Sequence, residues 1–220
     1  MPEWQFPAVR LISRTRLIPV ALIFLLGACG SPLGPKPSRD AIRTYVLQAP
    51  AERAPPASDP DGPVLLISPI LSAAGFDSSD MAYMRKPHEL EYFALHRWVD
   101  SPARMLDPLL VQAAEQSGLF RSVVGSGSGV KSDLRLDGRL IHLQQVCRLN
   151  PSQLQLALRV TLVDVSSARA IASRTLSVSE AIEARSPYAG VQAANRAVAQ
   201  LLSQLEGFLA EQVRGNTVSR

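Results

Sequence analysis

One cysteine near the N-terminus stands where a lipid-attachment reaction needs a thiol. The residues Leu26, Gly27, Ala28 and Cys29 place a large apolar side chain and two small ones directly before the sulfur. Small side chains let a peptidase approach the backbone, and only a thiol can form the thioether to diacylglycerol. We therefore expect cleavage before Cys29 and a covalent lipid on it. The alternative is an ordinary signal peptide with an accidental cysteine at its cleavage site.

The segment before this cysteine has the composition of an export signal. Arg10, Arg14 and Arg16 form a basic region, and residues 17–26 form an apolar run. A membrane span takes about 20 apolar residues, so the run is too short to be one and instead fits a secretory signal peptide. We predict that the signal peptide covers residues 1–28. Stable membrane attachment takes two or more acyl chains, which a fully acylated Cys29 supplies.

A second candidate for chemistry is the glycine-rich segment 125–132, which superficially resembles a phosphate-binding loop. That motif needs a glycine directly before its lysine, and Val130 stands before Lys131. The segment also leads into a predicted strand, so no helix N-terminus is available to bind phosphate. We interpret it as a hairpin loop.

The remaining chemistry-bearing residues form no recognisable catalytic or metal-binding pattern. His88, His96 and His142 are far apart in the sequence and lack metal-ligand spacing. A nucleophile elbow of the form G-x-S-x-G is absent from the sequence. We therefore predict that the protein is not an enzyme and carries no cofactor other than the lipid. Cys147, the second of two cysteines, is predicted to be a small buried hydrophobic residue.

The charge of the chain argues against a nucleic-acid partner. The formal net charge is +4, and the predicted signal peptide contributes half of it through three arginines and Glu3. The remaining chain is therefore close to neutral. Nucleic-acid binding by a folded domain requires a basic patch, so we exclude nucleic acid as a partner.

The chain after Cys29 divides into a spacer and one domain. Residues 29–63 contain eight of the 17 prolines, and proline-rich chain is extended and semi-rigid. We predict a tether over 29–63, in which Tyr45, Val46 and Leu47 could form a short edge strand. Residues 64–220 are predicted to be a single globular domain.

Hydrophobic periodicity predicts an α+β domain. Strands are predicted over 64–70, 81–85, 92–99, 119–124, 133–146, 154–162 and 170–179. Ser101-Pro102 and Ser186-Pro187 each predict a helix start, and Gly118 fits the end of the first helix. The second helix carries an apolar stripe composed of Val191, Ala194, Val198, Leu201, Leu205 and Phe208. We expect two layers: a mixed, mostly antiparallel sheet with two main helices on one face.

Residues 75–102 are the best candidate for a partner interface. They contain Tyr83, Arg85 and Trp98, and interface energy concentrates in tyrosine, tryptophan and arginine. The alternative is that these side chains pack in the core of the domain.

A series of short motifs follows the cysteine motif and the proline-rich spacer along the chain. In order, they are Tyr45-Val46-Leu47, Ser68-Pro69, Gly75-Phe76-Asp77, Met81-Ala82-Tyr83-Met84-Arg85 and Arg97-Trp98-Val99-Asp100-Ser101-Pro102. This order resembles the ABC-type transport auxiliary lipoproteins, the PqiC-like family. It implies a fold similar to the N-terminal domain of TolB. It also implies a periplasmic domain that works with an ABC transporter whose subunit carries an MCE (mammalian cell entry) domain. Such systems are associated with moving phospholipids or other hydrophobic molecules, and the family has no known catalytic residues.

Localisation and partners follow as expectations. Gly30 after Cys29, in place of the aspartate that retains lipoproteins at the inner membrane in many enteric bacteria, favours the periplasmic face of the outer membrane. We expect the MCE-domain subunit and the outer membrane as partners, and we include a homo-oligomer among the expectations. The alternative functions are an outer-membrane lipoprotein that scaffolds or activates an envelope enzyme such as a peptidoglycan synthase, or a periplasmic hydrolase.

Overall fold

The computed structural model describes residues 41–48 and 57–217. The predicted signal peptide, Cys29 and most of the predicted tether lie outside the described residues. Ile42 already belongs to the compact unit that contains the elements below.

The described residues form nine strands and two helices. The strands are β1 (Arg43–Tyr45), β2 (Val64–Ile67), β3 (Leu71–Ser72), β4 (Asp80–Met84), β5 (Glu91–Trp98), β6 (Ser122–Gly125), β7 (Leu134–Val146), β8 (Gln153–Asp164) and β9 (Arg169–Ala181). The helices are α1 (Pro102–Gln116), between β5 and β6, and α2 (Pro187–Thr217), after β9.

Strand β7 organises the sheet. One of its edges pairs in parallel with β2, β3 and β4 in succession, and its other edge pairs antiparallel with β8. Strand β9 continues the antiparallel ladder beyond β8. On the other side, β5 pairs antiparallel with β4, β1 lies parallel to β5, and β6 lies parallel to β2. The sheet is therefore mixed, and its long ladders are antiparallel.

Both helices pack on the sheet and against each other. Helix α1 contacts β2, β6 and β7, whereas α2 contacts β8 and β9. The apolar stripe predicted for α2 is buried along its length, and so are the alternating aliphatic side chains of β8. The predicted two-layer α+β fold is confirmed, because the period of each apolar pattern leaves one face of each element to bury.

The helix ends follow their predicted capping residues in part. The amide of Ala189 donates a hydrogen bond to the Ser186 hydroxyl at 3.1 Å, which caps α2. Gly118 has a φ of +66° after α1, the conformation that favours glycine at this position. Ser101 occupies the corresponding start of α1 but makes no side-chain capping bond.

Two local expectations differ from the structure. Residues 125–132 are not a hairpin loop, because β6 and β7 lie parallel on opposite edges of β2. Cys147 is exposed rather than buried, because β7 ends at Val146 and the chain turns there.

The sheet begins with β1, which pairs with β5 and overlaps at Tyr45 with the short edge strand considered for residues 45–47. Leu47, just after it, is buried in the core.

Candidate binding surface

A groove opens where the end of β7 meets β4, β5 and the first turn of α2. Its lining includes Arg85, Phe93, Gln145, Cys147, Ile182 and Arg185. Its volume is about 420 Å³, within the range of roughly 300–1,000 Å³ that is typical of ligand sites. The lining combines apolar side chains with two arginines, so the groove suits an amphipathic partner.

Arg85 is held in place at one side of this groove by Glu91 on the neighbouring strand. Its Nε donates to Glu91 Oε1 at 2.8 Å, and its Nη2 donates to Oε2. The guanidinium also lies over the Tyr83 ring, 5.5 Å from the centroid. Tyr83 donates its hydroxyl hydrogen to Glu91 Oε2 at 3.0 Å. The cation and the ring therefore form one preorganised unit on the surface.

The same hydrogen bonds shift the ionisation of the acidic groups in this unit. The hydrogen bond from Arg85 lowers the pKa of Glu91, so the carboxylate stays ionised. The hydrogen bond to Glu91 raises the pKa of Tyr83, and desolvation raises it further. Tyr83 therefore remains a neutral donor, and the unit keeps its arrangement over the physiological pH range.

An aromatic row connects this unit to α2 across three strands. Tyr83 and Phe93 have ring centroids 4.5 Å apart, and Phe93 and His96 are 6.0 Å apart. His96 stacks on Tyr45 at 5.8 Å, and Tyr45 lies 6.2 Å from Tyr188. These five residues define the row, in which Tyr45 and Phe93 pack partly against the core and Tyr188 is 56% exposed. Aromatic surface next to arginine is typical of recognition sites.

His96 adds no charge to the row at neutral pH. Desolvation lowers the pKa of His96, and the nearby charge of Arg43 lowers it further. Its Nδ1 is hydrogen-bonded to the Tyr45 hydroxyl at 2.9 Å. The row is therefore an uncharged surface with cations at its border.

Cys147 marks the charged part of the groove. Desolvation raises the pKa of its thiol and Glu91 also raises it, whereas the charges of Arg85 and Arg185 lower it. Arg85 and Arg185 both line this groove with Cys147, although the two arginines are a hundred residues apart in the chain. The thiol is protonated at neutral pH and exposed.

The structure unites two of the three predicted interface residues. Tyr83 and Arg85 lie side by side on the surface, whereas Trp98 is 4% exposed and belongs to the hydrophobic core. For Trp98 the alternative of core packing holds, because the last residue of β5 points into the interior. A partner on this face can therefore reach Tyr83 and Arg85 but not Trp98.

Sequence reasoning missed the residues that complete the groove. Phe93, Gln145, Ile182 and Arg185 come from β5, β7 and the segment between β9 and α2. No sequence spacing connects these segments. The sequence feature closest to the groove was Ser186-Pro187, which predicted the start of α2 but not which strands lie next to it.

The described residues contain neither a metal-binding cluster nor a membrane-spanning helix. Within 41–48 and 57–217, no group of three or more histidine, cysteine, aspartate or glutamate side chains could hold a metal ion. Neither helix of the described part is both long enough and apolar enough to cross a membrane.

Comparison with known proteins adds a family and a fold. The family model described as "ABC-type transport auxiliary lipoprotein component" matches residues 45–206. No curated protein matches the chain.

Among solved structures, a protein from Xanthomonas campestris superposes with a TM-score of 0.67 at 21% identity, covering 80% of this chain and 99% of that one. The structure of an uncharacterized protein gives a TM-score of 0.60 at 10% identity, with 77% and 99% covered. At these identities the likeness concerns the fold alone.

Proposed function

The chain belongs to the ABC-type transport auxiliary lipoprotein component family, and we propose that it serves an MCE-type ABC transporter from the outer membrane. In this proposal Cys29 carries the lipid that anchors the chain, and the proline-rich residues that follow it link the lipid to the domain, in which β1 is the first strand. The domain then acts in the periplasm as a binding component for a system that moves phospholipids or other hydrophobic molecules. It acts through contacts rather than catalysis.

The observation that carries the proposal is the surface formed by Tyr83, Arg85 and the aromatic row. Arg85 is 64% exposed yet fixed by Glu91 and the Tyr83 ring, so little side-chain entropy remains to be lost on binding. Aromatic and arginine side chains in such an arrangement are the usual anchors of protein interfaces. We propose this surface as the contact for the MCE-domain subunit.

Anchoring supports this assignment on energetic grounds. A domain held at a membrane by a lipid and a tether has a raised effective concentration for a partner that reaches across the periplasm. Individual contacts at Tyr83 and Arg85 can then be weak. A homo-oligomer would repeat the contacts, and light scattering on the purified protein measures whether one forms.

The anchor is tested by replacing Cys29 with Ser. We expect this variant to lose incorporation of labelled palmitate and to escape lipoprotein-type processing. Density-gradient fractionation of the wild-type protein, with Cys29 in place, should place it with outer-membrane markers. A Cys29→Ser variant that still incorporates palmitate contradicts the anchor, and co-migration with inner-membrane markers contradicts the localisation.

The interface is tested by pull-down of the MCE-domain subunit. Tyr83→Ala and Arg85→Ala should each raise the Kd for the subunit, by about tenfold for a loss of about 1.4 kcal/mol. Arg97→Ala is the matched control, because Arg97 is also a partly exposed, ion-paired arginine, bound to Asp80 on the same pair of strands. Thermal melts establish that all three variants fold.

The controls decide between the outcomes. Loss of binding in the Tyr83 and Arg85 variants with Arg97→Ala unaffected supports the proposed surface. Normal binding by both variants means that the transporter contact lies elsewhere on the domain. Equal loss in all three contradicts the proposed surface, because Arg97 lies outside it.

A further inference from the structure

We infer that the groove at the end of β7 binds a lipid with an anionic phosphate, with the phosphate held at Arg85 and Arg185 and an acyl chain along the apolar wall. This inference rests on the proposed function and deepens it. It assigns a lipid-binding site to the auxiliary lipoprotein itself.

The wall of the groove supplies apolar surface for a chain. Phe93 contributes its ring from β5, and Ile182 and Ala184 contribute aliphatic groups from the segment after β9. Pro187 closes the wall at the first position of α2. Apolar walls with a few placed polar groups are the usual composition of small-molecule sites.

The polar groups suit an anion. Arg85 uses Nε and Nη2 for Glu91, and its Nη1 faces no carboxylate among the described residues. Arg185 forms no ion pair within the described part of the chain. The N-terminus of α2, a helix of 31 residues, adds the positive end of its dipole at the groove. The Arg85–Glu91 pair is close to neutral as a unit, so the charge that favours a phosphate comes mainly from Arg185, with the positive end of the α2 dipole and the Nη1 donor of Arg85 adding to it.

Gln145 is a second, independent indication of a ligand. Its side chain is 5% exposed, and no hydrogen bond joins its amide to another group of the described residues. No fully enclosed side-chain nitrogen or oxygen of the described residues lacks a partner, so this amide must reach the space of the groove. A nearly buried amide without a protein partner is expected to meet a polar ligand.

The groove suits a lipid better than an extended peptide. A peptide that adds to a sheet needs an unpaired strand edge for its main-chain hydrogen bonds. At this end of the sheet β4 is paired on both sides, by β5 and β7, and β7 is paired by β4 and β8. A lipid with a phosphate needs no strand edge, because the two arginines bind its polar group and its acyl chain makes no hydrogen bonds.

Cys147 provides the readout, because it lines the groove and is exposed. The experiment uses the full mature chain with Cys29→Ser, which removes the lipid. Because the sequence has two cysteines, Cys147 is then the remaining one. The rate of Cys147 alkylation is measured with lauroyl lysophosphatidic acid below its micelle-forming concentration. Lauroyl monoacylglycerol tests the chain without phosphate, and glycerol 3-phosphate tests the phosphate without the chain.

We expect lysophosphatidic acid to slow alkylation by about tenfold or more at saturation, and neither fragment to do so at equal concentration. Arg185→Gln should weaken the binding by about tenfold, since it removes a charged hydrogen-bond donor. Arg169→Gln is the control, because Arg169 lies at the start of β9 and does not line the groove. Ala184→Trp should abolish protection by filling the groove.

Three outcomes overturn the inference. The first is Cys147 alkylation that lysophosphatidic acid does not slow. The second is equal protection of Cys147 by either fragment. The third is an equal loss of lipid affinity in Arg169→Gln and Arg185→Gln. Arg185 is exposed, so its variant remains informative even if Ala184→Trp does not fold. The assay contains no transporter subunit, so its result is separate from the pull-down that tests the proposed function.

Discussion

Gly190 in the first turns of α2 should respond to substitution in a way that depends on Gln145. A Cβ atom added at Gly190 would lie 2.0 Å from Gln145 Nε2 and 2.2 Å from its Cδ. These separations are far inside van der Waals contact, so the nearly buried amide would have to leave its place on α2. The perturbation is therefore Gly190→Ala, made alone and together with Gln145→Ala.

Two opposing terms set the magnitude. Alanine is favoured over glycine inside a helix by up to about 1 kcal/mol, whereas overpacking a filled site costs about 1–3 kcal/mol. Gly190→Ala alone should therefore lower the free energy of unfolding by up to about 2 kcal/mol. In the Gln145→Ala background the obstacle is gone, and the same substitution should raise it by about 0.5–1 kcal/mol. The effect of one methyl group changes sign.

Urea denaturation of the wild type, Gly190→Ala, Gln145→Ala and the double variant measures this coupling. The control is Gly207→Ala in the same helix, where a Cβ would meet nothing within 4 Å. It should stabilise by about 0.5–1 kcal/mol in both backgrounds. For a domain of this size each kcal/mol corresponds to about 2–4 °C in Tm, so thermal melts give a second reading.

The reasoning is refuted if Gly190→Ala stabilises the protein when Gln145 is present. That result would mean that the Gln145 amide, the far end of a flexible side chain, moves into the groove at little cost.

Three other changes test the fold. Leu201→Ala should lower the unfolding free energy by about 2–5 kcal/mol because Leu201 is fully buried. Leu71→Ala is the control, since this leucine is 60% exposed and its loss should change Tm little. Similar Tm shifts in the two variants would mean that Leu201 does not face the core. Ser186→Ala should lower the unfolding free energy by about 1 kcal/mol, and Ser101→Ala by less, because only Ser186 makes a side-chain capping bond; equal losses would contradict this. Desolvation lowers the pKa of His142 in the folded protein, so the unfolded chain takes up this proton at higher pH and stability is lost as pH falls below about 6.5. In thermal melts between about pH 7 and about pH 5, His142→Gln should reduce that loss of stability. An unchanged dependence of Tm on pH would contradict the role of His142.

Much of the architecture was predictable because it depends on local patterns. The alternation from Leu154 to Leu162 specifies one buried face of a strand, and the stripe from Val191 to Phe208 specifies one buried face of a helix. Ser186 and Gly118 mark helix ends through hydrogen bonds and dihedral angles that involve only neighbouring residues. The cysteine motif at Cys29 is equally local, and it stays a prediction because it lies outside the described residues.

Strand order and exposure were less predictable. Residues 125–132 read as a hairpin loop, yet they connect two strands that lie on opposite edges of β2. Cys147 follows an apolar pattern but lies one residue beyond the end of β7, where the side chain turns outward. Local periodicity does not show which strands become neighbours or where a strand stops pairing.

The sequence by itself determined the element types, the two-layer class and the family resemblance, since each depends on residues close together in the chain. Only the tertiary structure decided that Trp98 is core while Tyr83 and Arg85 are surface, although all three lie in one predicted segment. It alone placed Arg85, Cys147 and Arg185 in the lining of one groove. The physical reason is that burial and the meeting of charges depend on how the sheet pairs and where α2 crosses it, which are non-local contacts.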